Sequence, residues 1–143
     1  MASRKIKKIL VPLDGSKHSF KALDIAIYLA KLSGASITGL CVVSLQPPIY
    51  MPGMRSSYKD TITKEARKFL GQAKKISAGS GVSFTERVTY GIPSRDIAEH
   101  ANKKNFDLVI IGAHGHSAIW EIFLGSTAHS TVHKSKIPVL VVK

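Results

Sequence analysis

Asp107-Leu108-Val109-Ile110-Ile111-Gly112-Ala113-His114-Gly115 decides the fold: a short, mostly β-branched apolar run that ends abruptly in glycine. A run with no polar alternation reads as a strand buried on both faces, as the strands of a helix-covered parallel sheet are. Further on comes Gly125-Ser126-Thr127, opening a helical stretch, so the whole pattern is Gly-x2-Gly-x9-Gly-Ser. Glycine allows backbone N–H groups to approach a ligand closely and to adopt positive φ. A helix start adds unpaired N–H donors and about half a positive charge. Together they suit a phosphate chain.

Working outward, five apolar strand-like runs alternate with four helical patterns. The spacing predicts strands over Ile6 to Leu13, Ile37 to Val43, Val82 to Thr89, Asp107 to Ile111 and Ile137 to Val142. The first helix starts near Ser16, carries Phe20, Leu23, Ile27 and Ala30 on one face, and stops at Gly34. The second carries Ile62, Ala66, Phe69, Ala73 and Ile76 and stops at Gly79-Ser80-Gly81. Pro93 opens the third, and the fourth runs from about Ser126 to about Lys134. Polar alternation in the third strand and Pro138 in the fifth mark both as edges. The proline-rich residues 46–57 read as a long loop, either a lid or a partner surface. Strict alternation of strand and helix predicts α/β architecture: one domain over residues 1–143, a doubly wound five-stranded parallel sheet with helices on both faces.

Bulk properties agree with a globular domain. The chain has 143 residues, 44% of them apolar, and no run approaches membrane-spanning length. A single cysteine, Cys41, excludes an internal disulfide and suits a reducing, cytoplasmic setting. The formal net charge is +12, from 21 Lys and Arg against nine Asp and Glu. Such a field favours anionic partners, yet the basic residues are scattered along the sequence without interleaved aromatics. A nucleic-acid partner is therefore not the favoured reading, and a solvated surface explains the charge as well.

In an open parallel sheet, ligands bind beyond the carboxyl ends of the strands, where the winding reverses. Pro12-Leu13-Asp14-Gly15-Ser16 and Gly112-Ala113-His114-Gly115 both stand at such ends, and they face one crevice if the first and fourth strands are neighbours. Asp14 there suits a ribose or base donor, or a metal held through water; capping of the first helix competes with that role. Other phosphate and nucleophile motifs fail. Gly34 to Gly39 has P-loop glycine spacing, but Leu40-Cys41 follows in place of Lys and Ser or Thr. No Gly-x-Gly-x-x-Gly follows the first strand, and no Gly-x-Ser-x-Gly elbow exists. His129 and His133 have the i, i+4 spacing of metal ligands but lack a following Glu and a third ligand.

Lys8-Ile9-Leu10-Val11-Pro12-Leu13-Asp14-Gly15-Ser16, Gly91-Ile92-Pro93, the glycine motif with Gly125-Ser126-Thr127, and Pro138-Val139-Leu140-Val141-Val142 carry a resemblance over nearly the whole chain. In these elements the sequence resembles the universal stress protein family, in its ATP-binding branch. The resemblance implies a Rossmann-like fold of the adenine nucleotide alpha hydrolase kind. It also implies that Pro12, Asp14 and Val42 line the adenosine end, and that Ile111 and Gly112 approach base and ribose. Gly115, Gly125, Ser126 and Thr127 would cradle the phosphates of ATP, with Mg²⁺ accompanying the nucleotide. Relatives commonly dimerise through the last strand, here Ile137 to Val142.

The chain departs from the pattern at Cys41, where many relatives have His, and at His116, where relatives often carry Arg or Lys. An imidazole with an ordinary pKa of about 6.5 would make a phosphate contact at His116 pH-dependent; a solvated loop histidine is the competing reading. No general base stands beside the motif. The expectation is a nucleotide-dependent sensor or switch in the cytoplasm, hydrolysing ATP slowly at most. The alternatives are a slow Mg²⁺-dependent ATPase or phosphotransferase, and a basic adaptor for nucleic acid or protein.

Overall fold

In the computed structural model, residues 3–45, 55–115 and 123–143 are described. The elements follow in the order β1 (Lys8–Pro12), α1 (Lys17–Ser33), β2 (Ser36–Val43), α2 (Arg55–Gly79), β3 (Phe84–Tyr90), α3 (Pro93–Lys103), β4 (Leu108–Gly112), α4 (Ser126–Lys134) and β5 (Val139–Val142). The five strands form one sheet in the order β3-β2-β1-β4-β5, and every pairing is parallel. Winding runs from β1 outward through β2 to β3, then returns to β4 and β5. The reversal falls between β1 and β4, which pair through Ile9↔Leu108 and Leu10↔Val109.

Alternation along the central strands explains why they are apolar throughout. Ile9 and Val11 of β1 and Ile110 of β4 join the core under α1 and α2, with Leu23, Ile27 and Leu70. Leu10 of β1 and Val109 and Ile111 of β4 enter the opposite core, with Ile97 and Ala101 from α3, Phe106 from the turn before β4 and Ala128 from α4. Full burial of each such aliphatic side chain contributes roughly 1.5–3 kcal/mol, and a strand covered on both faces collects it at successive residues. The two edges differ from the centre as their sequences predict. In β3 only Phe84 is buried, and the next residues alternate exposed with half-buried as far as Val88; no residue of β5 is fully buried.

Local signals set the helix ends. Ser16 caps α1 by accepting from the Ser19 amide at 3.2 Å, and Gly34 closes the helix at φ 73°. Asp14 is therefore not the cap: its Oδ1 accepts from the Ser16 amide at 2.9 Å, holding the turn before the helix. α2 begins at Arg55, so the tail of the predicted 46–57 loop is helical, and the rest of that loop lies outside the described residues. β1, β3 and β5 each begin two residues later than the apolar pattern suggests, because Ile6, Val82 and Ile137 pack inward without joining the ladder.

Candidate functional site

Beyond the carboxyl ends of β1, β2 and β4 lies a crevice of about 520 Å³. Strand lengths create it. β1 stops at the Pro12↔Leu40 pair while β2 continues to Val43, so the end of β2 stands without a β1 neighbour and leaves a notch. Pro12 ends β1, and the next amide, Leu13 N–H, donates to the Leu40 carbonyl at 2.8 Å as the chain turns away. One wall is apolar, from Leu13, Leu40, Val42, Pro93, Ile97 and Ile111; the other is formed by the β4 exit and the start of α4.

Pro12, Asp14, Val42, Ile111, Gly112, Gly115, Gly125, Ser126 and Thr127 all line this crevice. They come from four separate parts of the chain, joined by the β1–β2 and β1–β4 pairings and the docking of α4. His116 lies outside the described residues. Sequence reading missed several members of the lining, among them His114, Phe123 and Leu124. His114 is the x of a spaced motif, so no period or spacing marks it. Phe123, 70% exposed, falls in the nine-residue spacer.

The three motif glycines are needed for different reasons. A Cβ at Gly112 would lie 2.7 Å from the backbone oxygen of His18, so this glycine lets the first turn of α1 close on the end of β4. At Gly125 a Cβ would lie 3.0 Å from the Ala113 carbonyl, to which the Gly125 amide already donates at 2.7 Å. That bond fixes the start of α4 against the β4 exit. At Gly115 a Cβ would meet Asp14 Oδ2 at 2.8 Å, so the β1 and β4 loops touch across the crevice floor through this pair.

Gly125 is the N-cap residue of α4 in extended conformation, and no side chain among the described residues caps the helix. The first amides of an α-helix have no partner within the helix, so those of Ser126, Thr127 and Ala128 are presented at the crevice wall. With the helix dipole they make an anion seat. Facing it from β1 is the Asp14 carboxylate. Behind the glycine loop, His18 and His114 meet edge to face with centroids 5.2 Å apart, and His18 Nδ1 is buried with no hydrogen-bond partner among the described residues. Beneath the notch, Cys41 is buried, and burial with the nearby Asp14 charge pushes its thiol up to about 12. It is a core residue whose thiol stays protonated at neutral pH.

Away from the crevice, His129 and His133 stack nearly parallel on exposed turns of α4. No cluster of three metal-ligating side chains occurs among the described residues, and no helix among them is long and apolar enough to cross a membrane.

Comparison with known proteins adds the following. The sequence profile of the universal stress protein family matches residues 5–143. A universal stress protein of Methanocaldococcus jannaschii is 34% identical over 139 residues, spanning 96% of this chain and 82% of that protein. Among solved structures, the universal stress protein UspA from Lactobacillus plantarum superposes with a TM-score of 0.89 at 26% identity, covering 99% of this chain and 100% of that one. A universal stress protein solved in complex with cAMP superposes with a TM-score of 0.77 at 26% identity, covering 98% and 99%.

Proposed function

This chain belongs to the universal stress protein family, and we propose that it binds an adenine nucleotide, ATP foremost, in the crevice at the winding reversal and acts as a nucleotide-dependent switch. One observation carries the reading: a single cavity brings together an apolar wall, a carboxylate and a helix start with a glycine N-cap, groups that suit base, ribose and phosphate in turn. Val42 and Ile111 suit the flat apolar faces of adenine. Asp14 suits the ribose hydroxyls. Gly115 and the amides of Ser126 and Thr127 suit the phosphate oxygens, with the Ser126 hydroxyl as a further donor. The cAMP complex of a structural relative supports the same ligand class.

The residues also fit a magnesium ion arriving with the nucleotide. Mg²⁺ is usually held by one or two carboxylates together with substrate phosphates and water, and Asp14 is the carboxylate of the described lining. When bound, the ion would neutralise phosphate charge and relieve the repulsion between Asp14 and the phosphates. Asp14 and His114 are the titratable side chains of the described lining, and Asp14 is already held by the Ser16 amide. That composition supports gripping the nucleotide over cleaving it.

The half-exposed β5 edge, with Leu140 38% exposed, supports a homodimer paired along this strand. Sedimentation analysis of the wild type and Leu140→Glu should give a dimer and a monomer.

The ligand assignment is tested by releasing and identifying the small molecule that copurifies with protein made without added nucleotide. Adenine nucleotides in proportion to protein support the reading. A preparation that carries none, and that fails to bind ATP, AMP or cyclic AMP in calorimetry, overturns it.

A further inference from the structure

In a parallel sheet, strand starts and helix ends share one pole, so residues distant in sequence gather there. At the pole opposite the crevice, Lys7 leads into β1 at Lys8, α3 ends at Lys103 with Lys104 as its C-cap, and α4 runs out through Lys134 to Lys136. All six side chains are exposed. Hydrogen bonds tie these segments into one surface. Lys8 Nζ donates to the Lys104 carbonyl at 2.8 Å. The Asn102 amide group donates to the Lys134 carbonyl at 3.3 Å and accepts from the Lys136 amide at 2.8 Å, fixing the end of α4 to α3. Between the two helices lies a concave recess of about 410 Å³, lined by Arg95, Glu99, Asn102, Lys103, Lys134 and Lys136.

We propose that this lysine-rimmed recess and the pole around it dock duplex nucleic acid through its sugar–phosphate backbone, independently of base sequence.

Lysines at helix ends also complement the macrodipole, which provides the competing explanation, and magnitudes decide between the two. The C-termini of α3 and α4 carry about half a negative charge each. Glu99, paired with Lys103, and Asp107, which accepts from the Lys7 and Lys8 amides, add two more. Six lysines exceed all of these by about three charges, with Arg95 left out because Asp96 holds it. The excess is therefore more than helix termini require.

Shape and composition choose the partner. A bilayer surface is flat at the scale of one domain and cannot enter a concavity, whereas a sugar–phosphate ridge can. The exposed Tyr and Phe side chains among the described residues, Tyr28, Tyr90 and Phe123, belong to α1, the far end of β3 and the crevice. The His129–His133 pair on α4 is the nearest exposed ring stack, and no row of large aromatic side chains of the kind that holds single strands stands at this pole among the described residues. Phosphate contacts by lysine fix position without reading sequence. The lysine rim stands at the C-terminal ends of α3 and α4, whereas the crevice is lined from their first turns, so the inference stands whether or not ATP binds there.

The test is fluorescence anisotropy of the full chain with a labelled duplex of arbitrary sequence, over a series of NaCl concentrations. The wild type should bind with a slope of log K against log salt near −3, since each neutralised phosphate contributes about −0.9. The combined variant Lys103→Gln, Lys134→Gln and Lys136→Gln should weaken binding at least tenfold and flatten the slope by about 2 to 3. A control of equal charge loss on α2, Lys64→Gln with Arg67→Gln and Lys68→Gln, should change both little. Circular dichroism checks that each variant is folded. Equal losses in the two variants would assign binding to the overall field and overturn the proposal. So would absence of duplex binding at 50 mM salt, or tighter lysine-dependent binding to phosphatidylserine-containing vesicles than to duplex.

Discussion

Asp14 and Gly115 close the crevice floor together: a Cβ at position 115 would lie 2.8 Å from Asp14 Oδ2. This contact links the β1 exit to the β4 exit, and it involves the end of a side chain. The neighbouring glycine differs in kind. At Gly112 the obstruction is the backbone of His18, which cannot swing away.

The two glycines should therefore fail differently. Gly115→Ala should leave the melting temperature within a few degrees of wild type, because the added methyl meets the end of a side chain, Asp14 Oδ2, and needs only a small shift of it. It should weaken ATP about tenfold, because that shift displaces the carboxylate from the position that suits the ligand. Gly112→Ala should destabilise the fold by about 1–3 kcal/mol, the usual result of overpacking against backbone. Thermal melts paired with calorimetry separate the two. Equal loss of stability in both variants would contradict the distinction.

Asp107 provides a pH-dependent contribution at the opposite pole. Its Oδ2 accepts from the Lys7 and Lys8 amides at 2.9 and 3.0 Å, and the first of these bonds is the main cause holding its carboxyl below the usual range. The carboxylate form is favoured by folding, so its contribution is present above the ordinary carboxylate pKa of about 3.9 and is lost as pH falls through the lower folded value. Asp107→Ala should cost about 1–2 kcal/mol at pH 7, after allowing for solvent at this partly exposed site. Urea titrations should show the gap between wild type and variant narrowing below pH 4. A gap unchanged at pH 3 would contradict the role.

Cys41 should behave as a reporter of global unfolding. Its thiol is buried and pushed up to about 12, chiefly by burial, so thiolate is scarce at neutral pH. Folding favours the neutral thiol, and that contribution is full below the unfolded thiol pKa of about 8.5 and is lost as pH rises through the folded value. Alkylation by iodoacetamide at pH 8 should be far slower than for unfolded protein and should rise along the urea unfolding curve. Rapid labelling of the native protein would contradict the buried placement.

How much of this was legible in the sequence varies by element. The uninterrupted apolar runs of β1 and β4 announced strands buried on both faces, and the Ser16 and Gly34 signals bounded α1 correctly. The nine described candidate residues do line one cavity, because each sits at a strand end or helix start that the alternation places at one pole. Other features arise only through the fold. Nothing near Gly112 in sequence reveals that it faces His18, 94 positions away by their numbering. The lysines of residues 7–8, 103–104 and 134–136 appear scattered until parallel topology brings strand starts and helix ends together. Asp14 showed the limit of a local rule: Asp and Ser both cap helices, and only the turn geometry assigned the cap to Ser16.

The central claim is that the glycine-capped start of α4 and the glycine loop after β4 hold the phosphates of an adenine nucleotide. Titration calorimetry of Mg²⁺–ATP into the wild type, Ser126→Ala and Gly125→Val tests it most directly. Binding at one site per chain is expected for the wild type. Ser126→Ala should weaken it about tenfold to a hundredfold, since a hydrogen bond to a charged group contributes roughly 1.5–3 kcal/mol. Gly125→Val, whose side chain would stand against the Ala113 carbonyl and the phosphate seat, should abolish it. Wild-type affinity in a folded Gly125→Val protein would contradict the account.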